Sequence, residues 1–433
     1  MKIAIVGTGV SGLVAARLLC GDHEIHVYEA AGYAGGHANT VEVRIGGETY
    51  PVDTGFMVFN ERTYPNFCQL LKLLGVTAQN SDMSLSVQCQ RSGLEYQASS
   101  LGGLFAQRVN LLRPSFYGML KDISRFNRDA RAFLRLSDNH LTLGQFLEPK
   151  NYGRALFEDY LVPMTAAIWS ARPECIRDFP ARIILQFFEN HGLLQLRDRP
   201  QWKTICGGSR RYVDVLMRPF RQQVRLNSPV RSVTRHHDHV AIESSGDCVE
   251  LFDAVVMATH ADQTLRLLTD INRAESEILR AFPYQENEAI LHMDVSMLPS
   301  RRRAWASWNY HVAQRSDRPV SVTYDLSRLQ NVRSPQRILL TLNPVRAINR
   351  SKTIRSFSYH HPAFSLASTA AQRRLHEING KNRTYFCGAY WRYGFHEDGV
   401  RSALAVGRCF GKDFDSCTVA STKEVSGTAA LAR

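Results

Sequence analysis

The chain has 433 residues, of which 44% are hydrophobic and 21% are charged, so it can bury a large core and is long enough for two or three domains. No apolar run reaches the length of a bilayer span, and no basic signal segment precedes the first apolar run. This excludes membrane-spanning proteins and predicts a cytoplasmic location. The net charge of +13 is explained by solubility or by attraction to a polyanion, which would be anionic lipid rather than nucleic acid because no nucleic-acid-binding motif is present.

The nine cysteines are scattered singly along the chain, without a Cys-x-x-Cys pair and without histidines at ligand spacing. This pattern is typical of reduced thiols in a cytoplasmic protein. We therefore predict neither a disulfide framework nor a metal site.

The first thirty residues predict a dinucleotide-binding strand, turn and helix. Residues 3–6 form a short apolar run typical of a buried parallel strand, and residues 13–19 continue at helical spacing. Between them, Gly7-Thr8-Gly9-Val10-Ser11-Gly12 is a G-x-G-x-x-G turn, in which glycines permit a sharp reversal and the close approach of a diphosphate to a helix N-terminus. A second strand, at 25–28, ends at Glu29, where an acidic side chain binds ribose hydroxyls.

A glycine pair and a D-x-G segment follow this unit. Gly35 and Gly36 lie in a loop whose backbone can approach a ligand closely. Residues 41–50 alternate as a hairpin around a second glycine pair, and Asp53-Thr54-Gly55 comes directly after it.

This series of motifs resembles the flavin-containing amine oxidase superfamily, which includes monoamine oxidases, phytoene desaturases and protoporphyrinogen oxidases. The resemblance spans residues 1 to about 411 and implies an α/β fold, with a three-layer, Rossmann-like FAD-binding domain and an inserted α+β substrate domain. Residues 1–85, 205–265 and 380–411 would form the discontinuous FAD-binding domain, and residues 86–204 and 266–379 the substrate domain. The polar, alanine-rich residues 412–433 predict a mobile tail.

The resemblance implies FAD as the cofactor. His37 stands where the family usually has arginine, and Ala389-Tyr390 replaces the usual acidic residue after Gly388. A helix beginning near Gly399 would direct its dipole at the flavin. The predicted cofactor-binding residues are Gly7, Gly9, Val10, Ser11, Gly12, Glu29, Gly35, Gly36, His37, Thr54, Gly55, Phe56, Val230, Gly388, Glu397 and Asp398.

FAD would supply the electron-accepting chemistry, so few catalytic side chains are required. Many amine oxidases carry a lysine near the flavin, but residues 284–294 contain none, and Asn287 stands near the expected place. Phe395 matches a position of the family's aromatic cage. The candidate catalytic residues, each of which also has a structural explanation, are Asn287, Glu288, His292, Phe395 and His396.

Further motifs look like a bacterial branch of FAD-dependent oxidoreductases, labelled NAD/FAD-binding proteins, that is associated with relatives of cyclopropane fatty acid synthase. These motifs lie at residues 284–287, 305–310, 341–344 and 394–399. The resemblance implies oxidation or desaturation of an apolar substrate, a fatty-acyl or phospholipid chain, held between residues 100–200 and 284–343. Oxygen or an electron carrier would reoxidise the flavin. The alternatives are a flavin amine oxidase and a non-catalytic protein that binds flavin or lipid.

Residues 100–136 alternate apolar and basic side chains. Such a segment either lies on anionic lipid, here the inner membrane, or presents a solvated helix face. Peripheral membrane contact is therefore one of two expectations for the following residues: Arg108, Arg113, Lys121, Arg125, Arg128, Arg131 and Arg135.

Overall fold

The structure is a computed structural model that describes residues 1–136, 140–169, 173–195, 199–245, 249–313 and 321–416. The strands of these residues are β1 (Lys2–Val6), β2 (Glu24–Tyr28), β3 (Thr40–Ile45), β4 (Glu48–Asp53), β5 (Phe59–Asn60), β6 (Ala78–Asn80), β7 (Leu85–Cys89), β8 (Leu94–Gln97), β9 (Trp202–Ile205), β10 (Val224–Arg225), β11 (Val230–Arg235), β12 (Val240–Ser244), β13 (Val249–Phe252), β14 (Ala254–Met257), β15 (Tyr284–His292), β16 (Trp308–Val312), β17 (Ser321–Asp325), β18 (Leu339–Leu342), β19 (Thr353–Pro362) and β20 (Thr384–Phe386).

Helices connect and cover these strands. They are α1 (Val10–Leu19), α2 (Pro65–Leu74), α3 (Leu101–Leu104), α4 (Pro114–Leu134), α5 (Leu143–Leu147), α6 (Arg154–Leu156), α7 (Val162–Trp169), α8 (Ala181–Asn190), α9 (Arg210–Met217), α10 (Ala261–Leu267), α11 (Arg273–Arg280), α12 (Leu326–Leu329), α13 (Leu366–Arg373) and α14 (His396–Cys409).

A five-stranded parallel sheet in the order β10-β2-β1-β14-β20 forms the centre of the first domain. The two middle strands, β1 after Lys2 and β14, are apolar because both faces of the sheet are covered. Ile3 and Ile5 pack on the side of α1 and α14, whereas Ala4 and Val6 pack towards the antiparallel sheet β11-β12-β13. The predicted three-layer α/β fold is confirmed.

Three distant stretches of chain supply this parallel sheet. β1 and β2 come from the N-terminus, β10 and β14 from residues 224–257, and β20 from residues 384–386. Their parallel pairing brings their carboxyl ends to one edge, which is where ligands bind in open α/β sheets.

A second, seven-stranded sheet has the order β19-β15-β18-β17-β16-β7-β8. β16 pairs with β7 in parallel, and the other neighbours pair antiparallel. One apolar cluster joins this sheet to α4, α5, α7 and α8. These helices lie between residues 114 and 190.

Most predicted elements occur, with shifted ends. The hairpin around Gly46 and Gly47 is β3 and β4, and both glycines have positive φ. Helix α2 begins at Pro65, a residue tolerated in the first turn of a helix, and ends where Gly75 adopts the left-handed conformation.

Among the described residues, no helix combines the length and hydropathy needed to cross a bilayer. The seven cysteines in these ranges are free thiols. Of the predicted mobile tail, residues 417–433 lie outside the described ranges. Within 412–416, Lys412 pairs with Asp22 and Phe414 is buried.

Candidate functional site

A cavity of about 1010 Å³ lies between the carboxyl edge of the parallel sheet and the seven-stranded sheet. Its lining includes residues at the carboxyl ends of four parallel strands: Gly7, Glu29 and Ala258 directly follow β1, β2 and β14, and Gly388 lies two residues after β20. This volume is at the upper end of the range of about 300–1000 Å³ found for ligand pockets. The cavity therefore has room for a large cofactor and a substrate.

The glycine turn is built to receive a ligand at the start of α1. Gly9 is the N-cap residue, and no side chain caps the helix, so its first N–H groups face the cavity. A Cβ on Gly9 would meet no atom of the chain within 4 Å, whereas a Cβ on Gly12 would lie 2.0 Å from the carbonyl oxygen of Gly7. Gly9 thus leaves space for a ligand, and Gly12 lets helix and strand pack closely.

Glu29 is held beside this turn. Its carboxylate accepts hydrogen bonds from the backbone N–H of Thr8 at 3.0 Å and of Ala31 at 2.9 Å, and from the Thr8 hydroxyl. It lines the cavity at the end of β2. A ribose hydroxyl could bind at this position, as the spacing from the glycine turn predicts.

The Gly-Gly loop lies against the glycine turn. Gly35 donates a backbone hydrogen bond to the carbonyl of Thr8 at 3.0 Å, and a Cβ on Gly36 would lie 3.2 Å from Cα of Gly9. Gly55 packs closely on His37, the residue after Gly36, because a Cβ on Gly55 would lie 2.2 Å from the carbonyl oxygen of His37. These two backbone approaches place His37 at the cavity wall.

His37 belongs to a group of histidines on this wall. Its ring centroid lies 5.5 Å from that of His361 and 6.2 Å from that of His260, and His360 also lines the cavity. Burial lowers the pKa of His37 well below its usual value and lowers those of His260 and His361 to about 4, so the rings are neutral in the chain alone. Among the described residues, the buried Nε2 of His37 has no hydrogen-bond partner.

Asp53 links the N-terminal stretch of the site to the second stretch, which contains Ser209. Its buried carboxylate accepts hydrogen bonds from the Ser209 N–H at 2.9 Å, the Ser209 hydroxyl at 2.7 Å and the Thr40 hydroxyl at 2.6 Å. Burial raises the pKa of Asp53 to about 6. The aspartate of the D-x-G segment therefore joins chain segments, while Thr54, Gly55 and Phe56 line the cavity.

The third stretch contributes Gly388 and the start of α14. This helix begins at His396, three residues before the predicted start near Gly399. Glu397 accepts hydrogen bonds from the backbone N–H groups of Asn66 and Phe67 at the start of α2. Asp398 accepts them from Tyr393 at 3.2 Å and Phe395 at 3.0 Å.

Thirteen of the sixteen predicted cofactor residues line the cavity. The exceptions are Gly12, Glu397 and Asp398, which shape the backbone around it. Burial raises the pKa of Asp398 to about 7. Direct contact of each of the sixteen residues with FAD stays a prediction.

The candidate catalytic residues separate into two groups. Phe395 and His396 line the cavity. His396 stacks on Phe56 with ring centroids 3.6 Å apart, and its Nε2 lies 2.9 Å from the Tyr212 hydroxyl. Burial lowers the pKa of His396 to about 3, so it is a neutral, fixed ring.

Asn287, Glu288 and His292 lie on β15 and do not line the cavity. The side chain of Asn287 is buried and accepts a hydrogen bond from Asn343 at 2.9 Å. His292 is buried beside the Thr341 hydroxyl at 2.8 Å. The backbone N–H of Glu288 donates to the Asn343 side chain, while its own side chain is exposed.

Away from the glycine turn, the cavity wall is apolar and aromatic. Phe187 packs on Trp169 and on Phe395, each with ring centroids 4.9 Å apart, and stacks on His191 at 3.7 Å. His191 stacks in turn on Trp202. We call these five residues the aromatic wall. Ile168 also lines the cavity and lies in the stretch 100–200, in which we expect the substrate to be held.

Charged groups are few in this lining. The described lining residues include one carboxylate, Glu29, and two arginines, Arg199 and Arg266. Arg199 is exposed and lies in the same stretch as Trp202 of the aromatic wall.

Sequence reasoning missed the histidines of β19, Trp202 and Arg199. His360 and His361 reach the site because β19 pairs along its length with β15, about seventy residues earlier in the chain. The local sequence signal for His360 and His361 was that they are adjacent histidines in a strand-like run.

Four features define a dinucleotide-binding flavoprotein: the parallel sheet, the glycine turn, the acid at the end of β2 and the open space above Gly9. The buried Nε2 of His37 offers a polar contact where the family usually has arginine. The profile of the family described as flavin containing amine oxidoreductase matches residues 10–295. The chain belongs to this family and is an FAD-dependent oxidoreductase.

Sequence and structure comparisons agree with this assignment. A sequence of Mycobacterium tuberculosis that bears the name of a flavin-containing monoamine oxidase, AofH, is 25% identical over 342 residues, which are 76% of this chain and 71% of that protein. The fatty acid isomerase of P. acnes has a TM-score of 0.68 at 15% identity, covering 94% of this chain and 98% of its own. Cyclohexylamine oxidase of Brevibacterium oxydans IH-35A has a TM-score of 0.67 at 15% identity, covering 94% and 99%.

Proposed function

We propose that the chain oxidises or desaturates a fatty-acyl chain that carries an anionic head group. The observation that carries this proposal is the aromatic wall, an apolar surface in the same cavity as the predicted FAD site. Such a wall excludes water and binds methylene groups through burial of apolar area. Bound FAD supplies the electron acceptor.

The charges of the lining support an anionic substrate over an amine. An ammonium group that leaves water requires a carboxylate or an aromatic cage. The described lining offers only Glu29, which already accepts three hydrogen bonds at the predicted ribose position. An aromatic face alone could still hold a cation, so the amine alternative enters the experiment as an outcome.

Arg199 supports a carboxylate or phosphate head group. Of the two arginines in the described lining, Arg199 is the one close in sequence to Trp202 of the aromatic wall. Its Nε donates a hydrogen bond to the carbonyl of Gln195 at 3.1 Å. An arginine at an exposed mouth can hold an anionic head group in contact with water while the acyl chain lies against aromatic rings.

The absence of lysine from β15 also favours this proposal. Asn287, near the family's usual lysine position, is committed to Asn343 and lies outside the lining. The fatty acid isomerase of P. acnes, a protein with the same fold, supports a fatty-acid substrate for this chain.

Anaerobic mixing of the flavin-loaded protein with substrates tests the proposal. Unsaturated fatty acids or phospholipids should bleach the flavin absorbance, whereas a panel of amines should not. Bleaching by amines alone would establish amine oxidation instead. Failure of both panels to bleach a fully loaded protein would support a non-catalytic binding protein.

Arg199 variants separate head-group recognition from chain binding. Arg199→Ala should raise KM for a free fatty acid by about tenfold, corresponding to about 1.4 kcal/mol of binding free energy. It should leave KM for the methyl ester unchanged, and Arg199→Lys should restore most of the affinity. Equal losses for acid and ester would contradict the assigned role of Arg199.

A further inference from the structure

A second surface, far along the chain from the glycine turn, exposes large apolar side chains. Five of the fifteen large hydrophobic residues that are exposed in the described ranges lie between residues 101 and 117. Their exposed fractions reach 84% at Leu112 and 76% at Leu101. The five residues are Leu101, Val109, Leu111, Leu112 and Tyr117. Exposed apolar residues that cluster in this way mark interaction surfaces.

The backbone that presents these side chains is fixed to the sheet edge. The Gln107 amide accepts from the N–H of Glu95 at 3.0 Å and donates to the carbonyl of Gly93 at 2.9 Å. Buried Asn110 donates to the carbonyl of Glu95 at 3.2 Å. These bonds hold the 3₁₀ turn Arg108–Leu112 against β8, an end strand of the seven-stranded sheet. These hydrogen bonds therefore fix the backbone that exposes Leu111 and Leu112.

Arginines surround the same turn. A concave surface next to it is lined by Arg108, Arg301, Arg302 and Arg303, together with residues 106, 107 and 109. Arg301 pairs with buried Glu95 of β8, which anchors this basic segment to the strand that holds the 3₁₀ turn. Within the described residues, no carboxylate forms an ion pair with Arg108, Arg302 or Arg303. We call the five apolar residues and these arginines the basic apolar face.

We propose that the basic apolar face docks on an anionic phospholipid bilayer. The arginines complement lipid phosphates, and the leucines enter the boundary between head groups and acyl chains. A nucleic acid would leave the leucines exposed, and an acidic protein would need a matching apolar surface. The net charge of +13 favours the same partner, because the cytoplasmic leaflet is anionic. This inference does not depend on the identity of the substrate.

Vesicle co-sedimentation of the full-length, flavin-loaded protein tests the docking. The protein should bind vesicles of phosphatidylcholine and phosphatidylglycerol in a 7:3 ratio and not those of phosphatidylcholine alone. Arg302→Gln/Arg303→Gln and Leu111→Ser/Leu112→Ser should each weaken binding at least tenfold. The matched variants Lys72→Gln/Arg333→Gln and Leu226→Ser/Leu251→Ser, which change exposed residues elsewhere, should change it by less than twofold.

The flavin spectrum and thermal midpoint of each variant confirm that it folds. Equal weakening of vesicle binding by Lys72→Gln/Arg333→Gln would show unspecific charge attraction and overturn the proposal. Equal weakening by Leu226→Ser/Leu251→Ser, or no binding by the unchanged protein, would also overturn it. Sedimentation velocity without lipid provides the remaining outcome: a dimer that Leu111→Ser/Leu112→Ser dissociates would assign the face to a second copy of the chain instead. Because turnover of a soluble substrate does not require this face, a negative docking result leaves the proposed function intact.

Discussion

At the scale of single residues, glycines with different surroundings carry the cofactor site. Gly9 opens into the cavity, whereas Gly12 and Gly399 let helices pack closely; a Cβ on Gly399 would lie 2.6 Å from Cγ1 of Val10. The glycine motif thus combines a ligand contact with a packing requirement, and substitutions can separate the two.

Gly9→Ala should abolish FAD binding and leave the apoprotein folded. The added methyl group would occupy the space assigned to the diphosphate of FAD. It would meet no atom of the chain within 4 Å, and the backbone angles of Gly9, φ −60° and ψ 172°, are accessible to alanine. The free energy of unfolding of the apoprotein should change by no more than about 1 kcal/mol. Thermal unfolding and FAD titration measure both quantities.

Gly12→Ala is the matched control for this prediction. Its methyl group would overlap a backbone carbonyl, so the apoprotein itself should lose about 2–3 kcal/mol or more of unfolding free energy. Full FAD binding by Gly9→Ala, or an unchanged thermal midpoint for Gly12→Ala, would show that the turn is assigned incorrectly.

At the scale of elements, buried polar links join stretches of chain that are distant in sequence. The side chain of Arg235 of β11 is 1% exposed and pairs with Glu275 of α11, which is fully buried, and with Asp270 before that helix. Glu275 also accepts from the N–H of Asn272 and so closes the capping box of α11.

Glu275→Gln should lower the free energy of unfolding of the chain by about 3–5 kcal/mol, because it leaves the buried guanidinium with a weaker partner set. Urea unfolding measures the change. Glu277→Gln, which breaks an exposed pair of the same helix, should lower the free energy of unfolding far less. A similar loss for both variants would indicate that helix α11 itself, rather than the buried pair, is sensitive.

Local patterns predicted the elements whose sequence signals are short-range. Residues 7–12 and Glu29 were predictable because the glycine spacing and the strand before it lie within thirty residues. The roles of Asp53, Glu397 and Asp398 were not, because each depends on a partner brought in by folding: Ser209 for Asp53, Asn66 for Glu397 and the turn before α14 for Asp398. Likewise, Trp202 joins the aromatic wall through tertiary packing alone.

At the scale of the whole molecule, buried neutral histidines determine how stability depends on pH. Burial lowers these pKa values from 6.5 in the unfolded chain to about 4, or to about 3 for His396. The six residues are His191, His260, His292, His311, His361 and His396. Below pH 6.5 the unfolded chain binds protons that the folded chain does not, so stability falls with pH down to about 4.

Buried carboxylates oppose this trend, because burial raises the pKa of Asp159, Asp325 and Glu397 as well as those of Asp53 and Asp398. The folded pKa values of Asp53, about 6, and Asp398, about 7, exceed 3.8, so each contributes stability at low pH that is lost as pH rises through the folded value. The lowered pKa values of the six histidines, together with that of His37, outweigh the raised pKa values of the carboxylates, and the thermal midpoint should therefore fall as pH is lowered from 6.5 to 4.5. His311→Gln, away from the cavity, should flatten this slope, whereas exposed His376→Gln should not. A midpoint that rises on acidification would contradict the assigned neutral histidines.

Mass spectrometry of the molecules released from the purified protein tests the central claim most directly, because one cavity is assigned to both cofactor and substrate. The released molecules should contain one FAD per chain, together with fatty acids or phospholipids enriched over the amines of the same extract. A chain purified without FAD that also fails to bind added FAD, or one that retains amines and no lipid, would contradict it.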